Sequence, residues 1–191
     1  MTTQSEKITY SVDEFVFDVK DIIGQQSTGS RALDAIGSNL RRLVMEGGDL
    51  TKQGVEAESK VGLPGRWLHR VPGGDFQLSV TYFPPDEPTP VHSHNRWGVE
   101  CVIDGEERFT VWERIDDQGS VGKAELKVVS DGIMTRGDVR AWYDPPKNVH
   151  RQWAQGGKPV CLALLMGGDG SRQHIFDLDK GTYEDAPARP S

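Results

Sequence analysis

The sequence predicts a mainly β protein that begins with a helical segment. In the first third of the chain the apolar residues follow helical spacing, and after residue 65 they change to the alternating pattern of half-buried strands. Short apolar runs then continue, separated by turns rich in Gly, Pro and Asp. Seven or eight short strands spaced in this way are typical of a sandwich, a jelly roll or a small barrel.

Length and composition set the broad class. With 191 residues, 22 glycines and 11 prolines, the chain suits one turn-rich domain that can bury a sizeable core. The net charge of −7 and the lack of a basic run argue against nucleic acid or an anionic membrane as the partner. The two cysteines are too few for a disulfide framework, and the N-terminal residues do not resemble a secretory signal. We therefore expect a cytoplasmic protein, and its oligomeric state stays open.

Two amphipathic stripes predict the helices. Ser11 and Glu14 have the spacing of a capping box, and the apolar stripe that follows them ends at Gly24. A second stripe begins near Ser30 and ends at Gly47, which supplies the stop.

The strands and the division of the chain follow from the change of period. A weakly signalled third helix at residues 50–58 precedes the clearest alternation, at residues 76–83. Further strands are expected at residues 98–103, 106–113, 125–130, 139–142, 149–154 and 160–166. The prediction is a single domain, in which an N-terminal helical segment (1–64) packs on a barrel (65–191) whose polar end after Tyr183 is a surface arm or a frayed end.

The stretch Pro90-Val91-His92-Ser93-His94 contains the strongest chemical signal. Residues two apart on a strand point to the same side of the sheet, so His92 and His94 can bind one metal ion. A third histidine, His150, opens another predicted strand. Imidazole is the commonest metal ligand at neutral pH, which favours a metal site over a polar surface pair.

The pattern around these histidines resembles the cupin superfamily. Gly105 matches the glycine that closes the first cupin motif, and Gly137, Pro146 and His150 match the second. The resemblance covers about residues 66–178. It implies a cupin-type double-stranded β-helix, or jelly-roll barrel, preceded by the N-terminal helical segment.

The carboxylate ligand that is usual in the first cupin motif is missing here. Its position, counted back from Gly105, is occupied by Gly98. The resemblance therefore implies a site of three histidines without a carboxylate. Glu100 has the strand parity to point inward, and it is the alternative as a fourth ligand.

Among cupins, the chain looks like the cysteine dioxygenase family of thiol dioxygenases. The matching residues are His92, His94, Trp97 and Gly98, then 148–151, 167–169 and 174–177. Helices before the barrel are also usual in that family. The resemblance implies Fe(II) held on one face by three neutral imidazoles, which favours an anionic thiolate and leaves room for O₂ beside it.

Arg66 is the predicted substrate-binding residue, because the resemblance places it where relatives that oxidise cysteine carry the arginine that binds the substrate carboxylate. Arg70, expected on the same side of the strand, is the alternative. Trp97 is a candidate for the pocket wall. Gln152 and Arg151 alternate beside His150, so that one of the two can reach the interior.

The chain departs from the thiol dioxygenases in one segment. Residues 160–166 lack the Ser-x-His-x-Tyr relay that is usual in enzymes acting on cysteine or 3-mercaptopropionate. Tyr143 is the predicted proton donor in its place, with His174 as the alternative. Cys101 and Cys161 are expected in the core.

The predicted function is a mononuclear non-haem Fe(II) thiol dioxygenase that converts a small mercaptocarboxylate and O₂ into the sulfinate. Because the relay is missing, mercaptosuccinate or 3-mercaptopropionate is favoured over cysteine. Two alternatives stay open: a three-histidine cupin dioxygenase that cleaves a carbon–carbon bond, as in β-diketone oxidation, and a small-molecule-binding cupin without turnover. Three imidazoles also accept Zn, Ni, Co or Mn, so the sequence leaves the metal open.

Overall fold

The computed structural model describes residues 9–25, 29–57, 65–116, 120–143, 149–168 and 172–187. This part of the chain contains two α-helices and twelve β-strands. The helices are α1 (Val12–Gln25) and α2 (Ser30–Glu46), and a 3₁₀ turn follows at Leu50–Lys52. The strands are β1 (Val55–Ala57), β2 (Gly65–Arg70), β3 (Phe76–Phe83), β4 (Val91–His94), β5 (Gly98–Asp104), β6 (Glu107–Arg114), β7 (Leu126–Met134), β8 (Val139–Trp142), β9 (Val149–Ala154), β10 (Val160–Gly167), β11 (Arg172–Asp177) and β12 (Thr182–Pro187).

The strands form two six-stranded sheets whose neighbours pair antiparallel. Sheet 1 has the order β1-β2-β3-β10-β5-β8, and sheet 2 has the order β12-β11-β4-β9-β6-β7. From β3 to β6, and again from β7 to β11, successive strands belong alternately to the two sheets. This alternation is that of a double-stranded β-helix. The predicted class, a mainly β jelly-roll barrel preceded by a helical segment, is therefore confirmed.

The helices begin where the sequence predicts. The Ser11 Oγ accepts a hydrogen bond from the backbone N–H of Glu14 at 3.2 Å, and the Glu14 Oε2 accepts one from the backbone N–H of Ser11 at 2.7 Å. α1 runs one residue beyond the expected stop at Gly24, whereas α2 begins at Ser30 and ends before Gly47 as predicted.

The helices pack on one side of sheet 1, called here the helix-facing side. Leu33 and Leu40 of α2 are fully buried in one apolar cluster with Val99 of β5 and Leu165 of β10. Gly37 permits this close approach, because a β-carbon there would lie 2.9 Å from a methyl group of Val139. Successive residues of a strand point to opposite sides, so the other side of sheet 1 faces the barrel interior.

Three segments differ from the sequence prediction. The expected helix at 50–58 is the 3₁₀ turn followed by β1, because Gly54 takes a positive φ of 69° against the backbone of Trp67 and redirects the chain into sheet 1. The strand predicted to end at residue 130 continues as β7 to Met134, where the Asp131 carboxylate accepts hydrogen bonds from Arg108 and Thr110 of β6. Residues 184–187 of the polar segment after Tyr183 belong to β12, which pairs with β11 over six residue pairs.

A β-bulge reverses the side-chain direction along β2. The register of β2 against β3 shifts in the middle of β2, which inserts one extra residue. Before the shift Arg66 lies opposite Val80, a residue of the helix-facing cluster. After the shift Arg70 lies opposite Gln77, on the interior side. The sequence predicted the same side for both arginines, and the bulge is the reason that this is wrong.

Within the described residues, neither helix combines the length and the hydropathy that a bilayer crossing requires.

We expect that Leu40→Ala lowers the free energy of unfolding by about 2–5 kcal/mol, because the truncation leaves a cavity between α2 and sheet 1. Met45→Ala is the matched control on the same helix, since Met45 is 53% exposed and its loss should cost far less. Urea unfolding measures both. Equal losses for the two variants would contradict the packing of α2 described here.

Candidate metal centre

Three histidines from two strands of sheet 2 meet in the barrel interior. His92 and His94 lie on β4, and His150 lies on β9 directly opposite His92. One ring nitrogen from each histidine lies within 4.8 Å of those of the other two. The three candidate ligands that the sequence singled out are thus brought together by the pairing of β4 with β9, and the group could hold one metal ion.

The ring orientations suit metal binding. The Nδ1 of His92 lies 2.9 Å from the carbonyl oxygen of Pro90, a contact that a proton on Nδ1 satisfies as a donated hydrogen bond. This arrangement leaves the Nε2 lone pair of His92 toward the site. That Nε2 lies 3.2 Å from the Nε2 of His94, so the two nitrogens converge on a common point.

Aromatic rings hold the imidazoles in place. The Trp142 ring stacks on His94, with ring centroids 5.6 Å apart and the planes 29° from parallel. The Phe109 ring stacks on His150 at 5.2 Å and 17°. The Nε1 of Trp142 is buried and has no hydrogen-bond partner among the described residues. Rings packed in this way fix ligand geometry and exclude water from the site.

The electrostatics keep the His94 imidazole neutral. Burial, together with the positive charges of His92, His150 and Arg96, lowers the pKa of His94 well below its ordinary value. A neutral imidazole has the free lone pair that a metal ligand needs. Arg96 itself is 8% exposed, which places a buried positive charge next to the site.

Gly98 occupies the position where the first cupin motif usually carries a carboxylate ligand. The structure shows why this position has no side chain. A β-carbon on Gly98 would lie 2.2 Å from the Trp142 ring and 2.9 Å from the sulfur of Met166. No side chain fits there unless Trp142 moves. Among the described residues the donor set is therefore three imidazoles, which is compatible with a first-row divalent ion.

Glu100 points into the barrel as its parity predicts, but it does not belong to the histidine group. Its side chain is fully buried, and its Oε2 accepts a hydrogen bond from the Nε2 of Gln152 at 3.4 Å. Gln152 is also buried, so of the alternating pair Gln152 and Arg151 it is Gln152 that reaches the interior. Glu100 and Gln152 each lie two residues farther along their strands than Gly98 and His150.

Glu107 and Arg140 complete a group that we call the polar cluster: Glu100, Glu107, Arg140 and Gln152. Burial raises the pKa of Glu100 to about 8, against the opposing effects of the Arg140 charge and the Gln152 hydrogen bond. Burial and the neighbouring Glu100 raise the pKa of Glu107 well above its ordinary value, and Arg140 again opposes. Arg140 lies over the Phe109 ring at 5.3 Å, so the polar cluster and His150 both contact Phe109.

Arg66 is not brought to the histidines. Its Nε donates a hydrogen bond to the carbonyl oxygen of Gln53 at 2.6 Å, and its Nη2 donates one to the carbonyl oxygen of Gly54 at 3.2 Å. Arg66 thus ties β2 to the segment before β1, and the β2 bulge places it on the side of Val80. Arg70 lies on the interior side and stacks on the Trp67 ring at 4.4 Å, but it is exposed.

Three further candidates lie away from the histidines. Trp97 belongs to the helix-facing cluster and covers Gly167, so it is not a wall of the site. Tyr143 packs against the same cluster, because it alternates with Trp142 and therefore faces the opposite side of the sheet. The His174 ring lies 4.9 Å from that of Tyr183, on the outer side of sheet 2. These placements correct the sequence predictions.

Strand β10 presents an apolar surface where the relay would lie. Leu162, Leu164 and Met166 face the interior, and they alternate with Cys161 and residues of the helix-facing cluster. Burial raises the pKa of Cys161 to about 11 and that of Cys101 to about 12. Both thiols therefore stay protonated, and both lie in the core as the sequence predicted. Pro146, residue 148 and residue 169, which entered the resemblance, lie outside the described residues.

Sequence reasoning missed Arg96, Phe109, Arg140 and Glu107 as neighbours of the site. The signal for Arg140 and Glu107 was available, since each is a charged residue inside or at the start of a predicted strand. For Phe109 and Arg96 no local signal exists, because their position depends on how β6 and the β4–β5 connection pack.

The comparisons with known proteins give matches of low identity to solved structures. No family model matches the chain, and no curated protein matches it. A cupin-like protein from Thermotoga maritima is similar over 70% of this chain and 97% of its own, with 18% identity and a TM-score of 0.43. The cupin domain of Schizosaccharomyces pombe Cnp3 matches over 64% and 69%, with 17% identity and a TM-score of 0.43. An oxalate oxidase matches over 53% of this chain, with 14% identity and a TM-score of 0.41, and the match spans 46% of the oxidase.

We expect that His150→Ala lowers the Co(II) bound after loading from about one ion per chain to a small fraction of that, because two imidazoles are a poor site. His174→Ala is the matched control, since His174 lies on the outer side of sheet 2 and should leave the metal content unchanged. Metal analysis after gel filtration measures both. Loss of cobalt in His174→Ala, or its retention in His150→Ala, would contradict the assigned ligands.

Proposed function

We propose that the protein is a thiol dioxygenase with Fe(II) at the three histidines, which converts a small mercaptocarboxylate into its sulfinate. In this reaction R–S⁻ and O₂ give R–SO₂⁻, so both oxygen atoms end on sulfur and no other reductant is consumed. The preferred substrates are mercaptosuccinate and 3-mercaptopropionate, ahead of cysteine. A cytoplasmic location is part of the same proposal.

The observation that supports this function is the donor set of three imidazoles without a carboxylate. Neutral ligands leave a bound divalent ion its full positive charge. The ion, when bound, would attract an anionic thiolate and hold O₂ next to it, which is the proximity that the reaction needs. The Trp142 ring keeps this donor set at three, because it fills the space above Gly98.

The chain's own residues contribute orientation and a dry environment. The Pro90 carbonyl fixes the tautomer of His92, and the rings of Trp142 and Phe109 hold His94 and His150. The apolar side chains of β10 line the interior opposite and exclude water. Positive charge from Arg96 next to the site offsets the acidity of the whole chain, which otherwise repels an anionic substrate.

The test is an oxygen electrode with the Fe(II)-loaded protein and a panel of 3-mercaptopropionate, mercaptosuccinate, cysteine and the β-diketone acetylacetone. The expected result is uptake of one O₂ per sulfinate formed with a mercaptocarboxylate. His92→Ala is the control, and we expect it to abolish the uptake. Uptake with acetylacetone alone would instead favour carbon–carbon cleavage. Ligand binding without any uptake would favour a binding protein. Either result would overturn the proposed function.

We expect that Arg66→Ala leaves the KM for the thiol unchanged and lowers the free energy of unfolding by about 1–3 kcal/mol, because two backbone carbonyls lose a charged donor. Arg70→Ala, which removes an exposed side chain of the same strand, should cost less stability. Urea unfolding and initial-rate kinetics measure the two effects. A raised KM in Arg66→Ala with unchanged stability would show that Arg66 binds substrate after all.

A further inference from the structure

The polar cluster lies in the barrel interior, two residues farther along the strands than the level of the histidines. Gln152 follows His150 by two residues on β9, and Glu100 follows Gly98 by two residues on β5. Two residues of a strand span about 7 Å, so the cluster lies within the reach of a short ligand anchored at the histidines. Glu100 is also the direct neighbour of Leu164 on β10, the strand that lacks the polar relay.

The cluster has more buried acceptors than donors. Four buried oxygens have no hydrogen-bond partner among the described residues: Glu100 Oε1, Glu107 Oε1, Glu107 Oε2 and Gln152 Oε1. The Nε of Arg140 is the one buried nitrogen of the cluster in the same condition. Buried acceptors without donors are unfavourable, so protons on the two carboxyl groups are the simplest way to supply the missing donors.

The charges also indicate that Glu100 and Glu107 are protonated. Arg140 makes no direct ion pair with Glu100 or Glu107 within the described part of the chain. Two carboxylates that are buried close together cannot both ionise at low cost. The raised pKa values of Glu100 and Glu107 agree with this. With both acids neutral, the cluster has the single positive charge of Arg140, and it attracts an anion.

We propose that the polar cluster binds the carboxylate of the substrate, with Arg140 supplying the charge and a neutral Glu100 donating a hydrogen bond. This inference rests on the proposed function, because it assumes that the thiol end of the ligand is held at the histidines. It gives the substrate carboxylate a binding partner in the barrel interior. Arg66 does not take this role, because its guanidinium donates to the backbone carbonyls of Gln53 and Gly54. Gln152 orients Glu100 through its amide hydrogen bond.

The cluster selects among ligands that differ in one group. 3-Mercaptopropionate, 2-mercaptoethanol and 2-aminoethanethiol share a thiol on a two-carbon chain, and they end in a carboxylate, a hydroxyl or an ammonium group. We expect the carboxylate to bind Co(II)-loaded protein at least about tenfold more tightly than the hydroxyl, and the ammonium to bind most weakly. Anaerobic titration of the cobalt–thiolate absorption measures the three dissociation constants without turnover.

Variants separate the hydrogen bond donated by Glu100 from the positive charge supplied by Arg140. Glu100→Gln keeps a neutral donor and should bind 3-mercaptopropionate within about threefold of the wild type, whereas Glu100→Leu should lose about tenfold or more for this ligand and not for 2-mercaptoethanol. Arg140→Met should show the same selective loss. Arg108→Met is the matched control, since Arg108 pairs with Asp131 on the outer side of sheet 2.

The ratio of the dissociation constants of 3-mercaptopropionate and 2-mercaptoethanol should depend on pH in one direction. As Glu100 loses its proton, the donor is lost and a repelling charge appears, so the preference for the carboxylate declines as pH rises toward 9. The charged or titratable groups that act on Glu100 are Glu107 on β6 and Arg140 on β8. Glu100→Gln should remove most of this decline, and the infrared band of a protonated carboxyl group should weaken in the same variant.

Each result decides the proposal. Tighter binding of the ammonium ligand, a Glu100→Gln variant as weak as Glu100→Leu, or equal losses for all three thiols in the Glu100 variants would overturn it. Failure of all three thiols to bind would overturn it together with the proposed function. The selective binding of 3-mercaptopropionate without O₂ uptake by the iron form would overturn the proposed function and leave the carboxylate site supported.

Discussion

The pairing of His92 on β4 with His150 on β9 is the interaction on which the site depends. It places two imidazoles opposite each other, and the two-residue period of β4 adds His94 to the same side. The lone pairs of the converging nitrogens repel one another, and a shared divalent ion would relieve that repulsion. The ring of Trp142 then limits the donor set, because it fills the space that a fourth ligand on Gly98 would need.

The barrel interior is organised in steps along its strands. The histidines and Trp142 lie at one level, Glu100 and Gln152 lie at the next, and an apolar group that includes Val102 and Leu162 follows. Buried polar atoms without hydrogen-bond partners destabilise a fold, so the polar cluster works against stability. Such a cost is common at functional sites, and it is the physical reason for regarding Arg140 and Glu100 as ligand-binding residues.

The sequence predicted what local patterns determine. Periodicity placed both helices and most strands, and the strand parity of His92, His94 and Glu100 gave their direction correctly. Arg66 and Tyr143 failed for a different reason, since their side depends on a bulge and on the pairing of sheet 1 with the helices. Neither feature leaves a signal in the neighbouring residues. The exclusion of a side chain at Gly98 by Trp142 likewise depends on packing between strands distant in sequence.

X-ray absorption at the cobalt edge tests whether the three histidines hold the ion and leave room for a thiolate, because it reports the atoms bound to the ion. We expect three imidazole nitrogens in the Co(II)-loaded protein and one added sulfur at about 2.3 Å when 3-mercaptopropionate is present. His92→Ala should lose this signature. A carboxylate oxygen in place of one imidazole, or an unchanged spectrum on addition of the thiol, would contradict the account.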